Sequence, residues 1–188
     1  MKRFIQVYPE VFKYSDELIE LLEDAHQWTP ATISTNEGTK SDEARLCDIV
    51  TLSRIQYNSA ELKSKIRLKQ LNGIIESTFT SCLKQYIAPF TSYLEVTRSE
   101  PFSVLRYQKG HLYKPHSDGD TAGFNRRLSG LIYLNNNYMG GELNFPGLDF
   151  CIRPERNMLV LFPSNFCFVH ESLPILSGTK YAVVSWFR

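Results

Sequence analysis

The spacing of apolar residues changes near the middle of the chain. Before Pro89 they recur at three- and four-residue steps, the period of a helix with one packed face. Ser15-Asp-Glu followed by Leu18, Ile19, Leu21 and Leu22 predicts a first amphipathic helix, N-capped at Ser15 with acids in its first turn. Leu62, Ile66, Leu71, Ile74, Ile75, Phe79, Leu83 and Ile87 predict a second, continuous or broken at Asn72-Gly73, opened by a capping box of Asn58 with Glu61 and stopped by Pro89. Between them, residues 28–53 mix Thr, Ser, Asn, Gly and charge, and predict loop with a strand near Asp48 to Leu52. After Pro101 the runs become short and rich in branched and aromatic residues: 102–107, 111–116, 128–134, 142–145, 150–152, 158–162, 166–171 and 180–187. Gly110, Asn135 to Asn137, Gly140-Gly141, Pro146-Gly147, Pro154, Pro163 and Ser177-Gly178 punctuate them. Short strands with turn signals every few residues predict a sandwich or barrel rather than βαβ units. The expected fold is α+β with a β-rich core, a β-barrel or jelly roll buttressed by N-terminal helices.

Composition narrows this picture without redirecting it. A chain of 188 residues fits one domain. The expectation is a single unit over 1–188, with helical support and early strands over about 1–100 and the β core over about 101–188. Lys+Arg 21 against Asp+Glu 20 leaves a formal charge of +1, with no basic footprint favouring nucleic acid or anionic lipid. No apolar run approaches a membrane span, and Met1 to Glu10 lacks the charged-then-apolar design of a signal peptide, so the expected address is cytoplasmic. Cys47, Cys82, Cys151 and Cys167 show no CxxC spacing and are expected reduced and buried.

The candidate chemistry sits in the second half. His116 and Asp118 are two residues apart at a strand end, so their side chains leave the same face. Taken alone, His-x-Asp is a common surface coincidence, and His170 alone is equally readable as a hydrogen-bonded strand histidine. Two imidazoles and one carboxylate, however, are the facial triad that holds non-haem Fe(II) with open positions. Pro174 to Gly178 reads as a turn; with its midpoint at Ile175, His170 and Lys180 would lie opposite each other across a hairpin, with Trp186 on the same face. A Lys on an inward face needs a negative partner; on an outward face it is an ordinary surface residue. Gly119 to Asn125, polar with two glycines, reads either as a flap over a substrate or as an exposed loop. Trp28, Asp42 and Arg45 are candidates to shape an outer groove.

The ordered pattern Tyr107-x-x-Gly110-x-x-Tyr113-x-x-His116-x-Asp118, Arg126/Arg127, Tyr133-Leu-Asn135, Gly140-Gly141-Glu-Leu-Asn-Phe145-Pro146, Pro154, Phe162, His170-x-x-x-Pro174-x-x-x-Gly178-x-Lys180 and Trp186 resembles the Fe(II)- and 2-oxoglutarate-dependent dioxygenases, in particular the prolyl 4-hydroxylase group. The resemblance covers roughly residues 102–188 and implies a double-stranded β-helix with iron between its sheets. It implies His116, Asp118 and His170 as metal ligands and as the catalytic centre through that metal. Lys180 would pair with the distal carboxylate of 2-oxoglutarate, with Tyr107 and Tyr133 as further co-substrate contacts. Arg126, Trp186 and Arg188 match positions lining a peptide groove. Dioxygen is the other co-substrate, and ascorbate is the expected reductant. Two positions depart from the family. Collagen-type enzymes carry Thr where this chain has Leu143, and oxygen-sensing ones carry Arg in place of Lys180.

The implied activity is hydroxylation of a peptide or protein proline coupled to conversion of 2-oxoglutarate to succinate. The same chemistry on a free amino acid, another small molecule or a nucleobase is the first alternative. A zinc hydrolase or noncatalytic metal-binding barrel is the second, since zinc accepts these ligands, but it leaves Lys180 without a task. The sequence does not set the oligomeric state.

Overall fold

The structure, a computed structural model, describes residues 1–35, 38–40, 43–56, 61–91, 94–119 and 125–188. In chain order, β1 (Gln6–Tyr8) and α1 (Ser15–Ala25) lead into short strands β2 (Thr29–Pro30), β3 (Ile33–Thr35), β4 (Gly38–Lys40), β5 (Arg45–Leu46) and β6 (Asp48–Thr51). The long helix α2 (Leu62–Ile87) follows. The back half runs β7 (Ser103–Tyr107), β8 (Leu112–His116), β9 (Leu128–Tyr133), β10 (Met139–Gly140), β11 (Leu143–Phe145), β12 (Phe150–Ile152), β13 (Leu159–Pro163), β14 (His170–Ser172), β15 (Ile175–Ser177) and β16 (Lys180–Phe187). Seven strands form a major antiparallel sheet in the order β1-β13-β9-β16-β7-β6-β2, and five form a minor one in the order β12-β11-β14-β8-β5.

The two faces of the major sheet explain why its central strands are apolar almost throughout. On β16, Val183 and Phe187 pack with Leu71, Ile75 and Phe79 of α2 and with Leu18 and Leu22 of α1. The alternate residues Lys180, Ala182, Val184 and Trp186 point the other way, into the space between the sheets. Gly130 on β9 belongs to the helix-facing layer: a Cβ there would lie 2.6 Å from the Phe79 ring. The absence of a side chain lets α2 seat on the sheet.

Both helices form where the spacing places them, with three differences in detail. The helix α2 is unbroken at Asn72-Gly73, because Leu71 and Ile75 on either side are fully buried and hold the turn together. That packing outweighs the roughly 1 kcal/mol cost of a helical glycine. Ser15 lies inside the first turn rather than capping it, and its hydroxyl donates to Asn157 Oδ1 at 2.7 Å. Asn58 of the expected capping box lies outside the described residues, as do Asp42 and residues 120–124 of the expected flap. The stretch taken for loop holds four short strands before β6, which pair through backbone groups and leave little apolar signature. Residues 166–168 are a 3-10 turn, not strand. All four cysteines are free, but only Cys47 and Cys82 are buried; Cys151 and Cys167 are exposed. Among the described residues, no helix is long and apolar enough to cross a membrane.

Candidate metal and dicarboxylate site

Strand pairing brings the three expected ligands together. His116 ends β8 and is the direct register partner of His170 on β14, so both imidazoles leave one face of the minor sheet. Asp118, two residues past His116, extends toward the same point. His116 Nε2 lies 3.6 Å from Asp118 Oδ1, and His170 Nε2 lies 3.5 Å from Asp118 Oδ2. One donor atom from each residue falls within 4.8 Å of the others. A cation bonded at about 2.1 Å sets right-angled donors about 3 Å apart, so small movements bring the set into a coordination sphere.

Hydrogen bonding prepares each ligand. His116 Nδ1 is 2.8 Å from the Lys114 carbonyl and His170 Nδ1 is 3.1 Å from that of Phe168. A carbonyl only accepts, so each Nδ1 carries a proton, which leaves Nε2 as the ring atom aimed at the shared point. Burial, then the neighbouring His170 ring, pushes His116 well below the usual imidazole range, so it stands neutral. Burial works to raise the Asp118 pKa, but the two rings and then the Ser129 hydroxyl more than offset it, and the carboxylate stays ionised. Ser129 Oγ donates to Asp118 Oδ2 at 2.6 Å and is itself 2.7 Å from Ser164 Oγ. The Trp186 indole N–H reaches toward the same carboxylate without closing a well-formed hydrogen bond. Two oriented imidazoles with one ionised carboxylate are a donor set suited to a divalent cation.

Lys180 closes the inner end of the cavity. It is 3 % exposed, and its Nζ donates to the Gly141 carbonyl at 2.8 Å and to Ser172 Oγ at 2.5 Å. The Tyr107 ring lies 4.5 Å from it. Burial pushes its pKa down to about 7, against weaker opposing pulls from Cys47 and Glu142. An ammonium held among neutral groups is a site for an incoming anion. The cavity carries the triad and Lys180 on its lining together with Tyr107, Tyr133 and Leu143.

The route to this arrangement differs from the expected hairpin. Residues 174–178 do not turn one strand back on its neighbour: Ile175–Ser177 pairs with β10, while Lys180 pairs with Tyr107 of β7. His170 and Lys180 therefore belong to different sheets and line one cavity, with Ser172 of the His170 strand touching Lys180. Trp186 does share the Lys180 face. Arg126 and Trp186 line an outer cleft that opens onto His116 and Asp118. Arg126 stacks on Trp186 at 3.7 Å and holds both Glu100 oxygens, at 2.8 and 2.7 Å. Arg188 is bound by the same Glu100, away from the cleft lining. Trp28 packs instead against Arg106 and Tyr181, on the helix side of the major sheet.

Ser129, Ser164, Glu100 and Ser172 are site residues that sequence reasoning passed over. Only Ser172 carried a legible signal, since it stands two positions after His170 and so shares its side of the strand. It supplies Lys180 with the hydroxyl that Leu143 lacks. Gly141, at φ +71, turns its carbonyl to the same ammonium where a Cβ would strike Ile175.

Comparison with known proteins agrees with this geometry. The model of the 2OG-Fe(II) oxygenase superfamily matches residues 102–188. An inferred prolyl 4-hydroxylase of Acanthamoeba polyphaga mimivirus is 30% identical over 62% of this chain and 54% of its own length. Prolyl 4-hydroxylase 1 of Arabidopsis thaliana is 25% identical over 86% of this chain and 70% of its own. A procollagen lysine hydroxylase and glycosyltransferase of Rattus norvegicus is 27% identical over 91% of this chain but only 21% of its own. The chain thus spans about half of the mimivirus relative and about a fifth of the rat enzyme. In fold it superposes on a Trichoplax adhaerens prolyl hydroxylase, solved with a peptide fragment of hypoxia inducible factor, with TM-score 0.74 at 18% identity, covering 98% of this chain and 83% of that one. A viral collagen prolyl hydroxylase from Paramecium Bursaria Chlorella virus-1, solved with 2-oxoglutarate, gives 0.68 at 17% identity, covering 98% and 96%. With its triad, buried lysine and paired antiparallel sheets, the chain is similar over residues 102–188 to the 2OG-Fe(II) oxygenase superfamily, and its relatives and fold neighbours include prolyl hydroxylases.

Proposed function

We propose that the protein hydroxylates a proline in a peptide or protein, using Fe(II), dioxygen and 2-oxoglutarate. The observation that carries this is the buried, acid-free Lys180 set across the same cavity from His116, Asp118 and His170. The cation would be held by His116 Nε2, His170 Nε2 and Asp118. When bound with 2-oxoglutarate and dioxygen, it supplies the oxidising chemistry that places one oxygen atom in a substrate C–H bond and the other in succinate, with loss of CO2. Lys180 fixes the distal carboxylate of the co-substrate, with Ser172 beside it and Tyr107 and Tyr133 shaping the walls. Burial keeps both tyrosines as phenols, able to donate a hydrogen bond. Leu105, Leu131 and Val184 keep the cavity apolar, which strengthens the charge contacts inside it. Arg126 and Trp186 form one wall of the groove for the peptide, and Arg188 braces it through Glu100.

The unit is read as one oxygenase domain over residues 1–188, acting in the cytoplasm; the four free thiols fit a reducing compartment. Ascorbate serves as reductant. A zinc hydrolase would leave Lys180 without a partner. The test is succinate release that requires added Fe(II) and 2-oxoglutarate, read with mass spectrometry for the gain of one oxygen atom on proline and lysine peptides and on small molecules. Similarity to procollagen lysine hydroxylases places lysine peptides in that panel. Oxygen addition to lysine peptides alone would move the substrate, and no 2-oxoglutarate consumption under any condition would end the reading.

A further inference from the structure

We infer that Arg45 is a substrate-selecting residue that binds a carboxylate flanking the hydroxylated position, so that the preferred peptide is acidic beside its target. This rests on the oxygenase reading above. Arg45 begins β5, the edge strand of the minor sheet, and pairs with Tyr113 of the strand that carries His116. Its guanidinium lies 4.9 Å from the Tyr113 ring, and its Nη1 donates to the Thr32 carbonyl at 2.9 Å. Its Nε is buried and closes no well-formed hydrogen bond, with the Cys47 thiol its nearest polar neighbour. Other buried or half-buried arginines here hold carboxylates: Arg106 holds Glu23 and Asp48, and Arg126 holds Glu100. Among the described residues, no carboxylate pairs with Arg45. A desolvated donor left unmatched is costly unless a ligand completes it.

Position separates Arg45 from Lys180. Lys180 lines only the inner cavity, whereas Arg45 lines both that cavity and the outer cleft, alongside Tyr113, His116, Asp118 and Trp186. Charge balance separates them too. In the loaded site a dication, Asp118 and Lys180 together carry two positive charges, which the dicarboxylate cancels. Arg45 remains as a single positive charge at the junction where substrate would enter. A planar guanidinium that lines the entrance and holds no carboxylate of its own suits an incoming one.

The test uses the Mn(II)-loaded full chain with 2-oxoglutarate, and two peptides differing only in Asp and Glu or Asn and Gln around one proline. Calorimetric binding is read alongside oxygen-dependent turnover with Fe(II). The wild type binds the acidic peptide roughly 10- to 100-fold more tightly than its amide twin. Arg45→Met, which keeps an aliphatic stem against Tyr113, abolishes that preference and leaves 2-oxoglutarate affinity unchanged, while Arg45→Lys keeps part of it. A wild type that does not distinguish the two peptides, or binds neither, overturns the inference. So does an Arg45→Met loss of 2-oxoglutarate binding equal to its loss of peptide binding, which would assign this cation to the co-substrate. Free L-proline competing as well as the acidic peptide would assign the carboxylate to an amino acid and overturn the peptide assignment. Failure of the oxygenase reading shows separately, as absence of metal-dependent 2-oxoglutarate binding in the wild type.

Discussion

In the proposed reading, a single side chain, Lys180, decides how the inner end of the cavity would hold a dicarboxylate. Removing one partner of a desolvated charge pair costs about 2–5 kcal/mol, so Lys180→Ala should weaken 2-oxoglutarate binding by roughly 30-fold to a few thousandfold. Calorimetry on the Mn(II)-loaded protein reads this without turnover, and unchanged affinity would remove Lys180 from the site. Ser172→Ala takes away the hydroxyl at 2.5 Å from the same ammonium. A hydrogen bond to a charged group contributes about 1.5–3 kcal/mol, so this variant should lose roughly tenfold or more, with Ser172→Thr restoring most of it. The pH dependence follows from the Lys180 pKa near 7. The anion needs the protonated form, which is lost as pH rises through that value. Affinity for 2-oxoglutarate should therefore fall between pH 7 and 9, by up to about tenfold per unit. The same measurement on Lys180→Ala should show that slope gone.

At the scale of elements, the site depends on a helix that never touches it. The outer face of the major sheet is held flat against α2 by Phe79, which occupies the space over Gly130. Gly130→Ala puts a methyl group 2.6 Å from that ring and 3.0 Å from Leu161 and Phe187. Overpacking of this kind costs about 1–3 kcal/mol, and thermal unfolding should shift down by about 2–4 °C for each of them. An unchanged midpoint would mean that the helix accommodates the methyl freely. Register matters as much as packing. His116 opposes His170 in the minor sheet while Lys180 opposes Tyr107 in the major one, so a slip of one residue in either ladder would turn its ligand outward.

For the molecule as a whole, a metal held by the triad would link binding to folding. A cation that binds only the folded chain at 100 times its dissociation constant adds about 2.7 kcal/mol, or roughly 5–10 °C in unfolding midpoint for a chain of this length. Mn(II) should produce that shift, chelation should reverse it, and Asp118→Ala should show neither. The same substitution and His116→Ala should abolish succinate formation. A wild-type midpoint indifferent to Mn(II) would argue against a metal at this point in the fold.

Much of this was legible in the linear chain, for a physical reason. Periodicity reports which face of a local element is buried, so both long helices and most of the back-half strands stood out, as did the pairing of His116 with Asp118 on one face. Ordered anchors such as His170 and Lys180 pointed to the chemistry. Other features depended on which strands became neighbours. The approach of His170 to Lys180 across two sheets, rather than around a hairpin, is a matter of topology. The short strands β2 to β5 are held by backbone groups that leave no residue signature. Ser129, Ser164 and Glu100 gain their roles only through partners far along the chain. Local spacing therefore determined the ligand types and the elements that carry them. Tertiary pairing alone decided that Lys180 would lie buried without an acid, and that Arg45 would face the entrance.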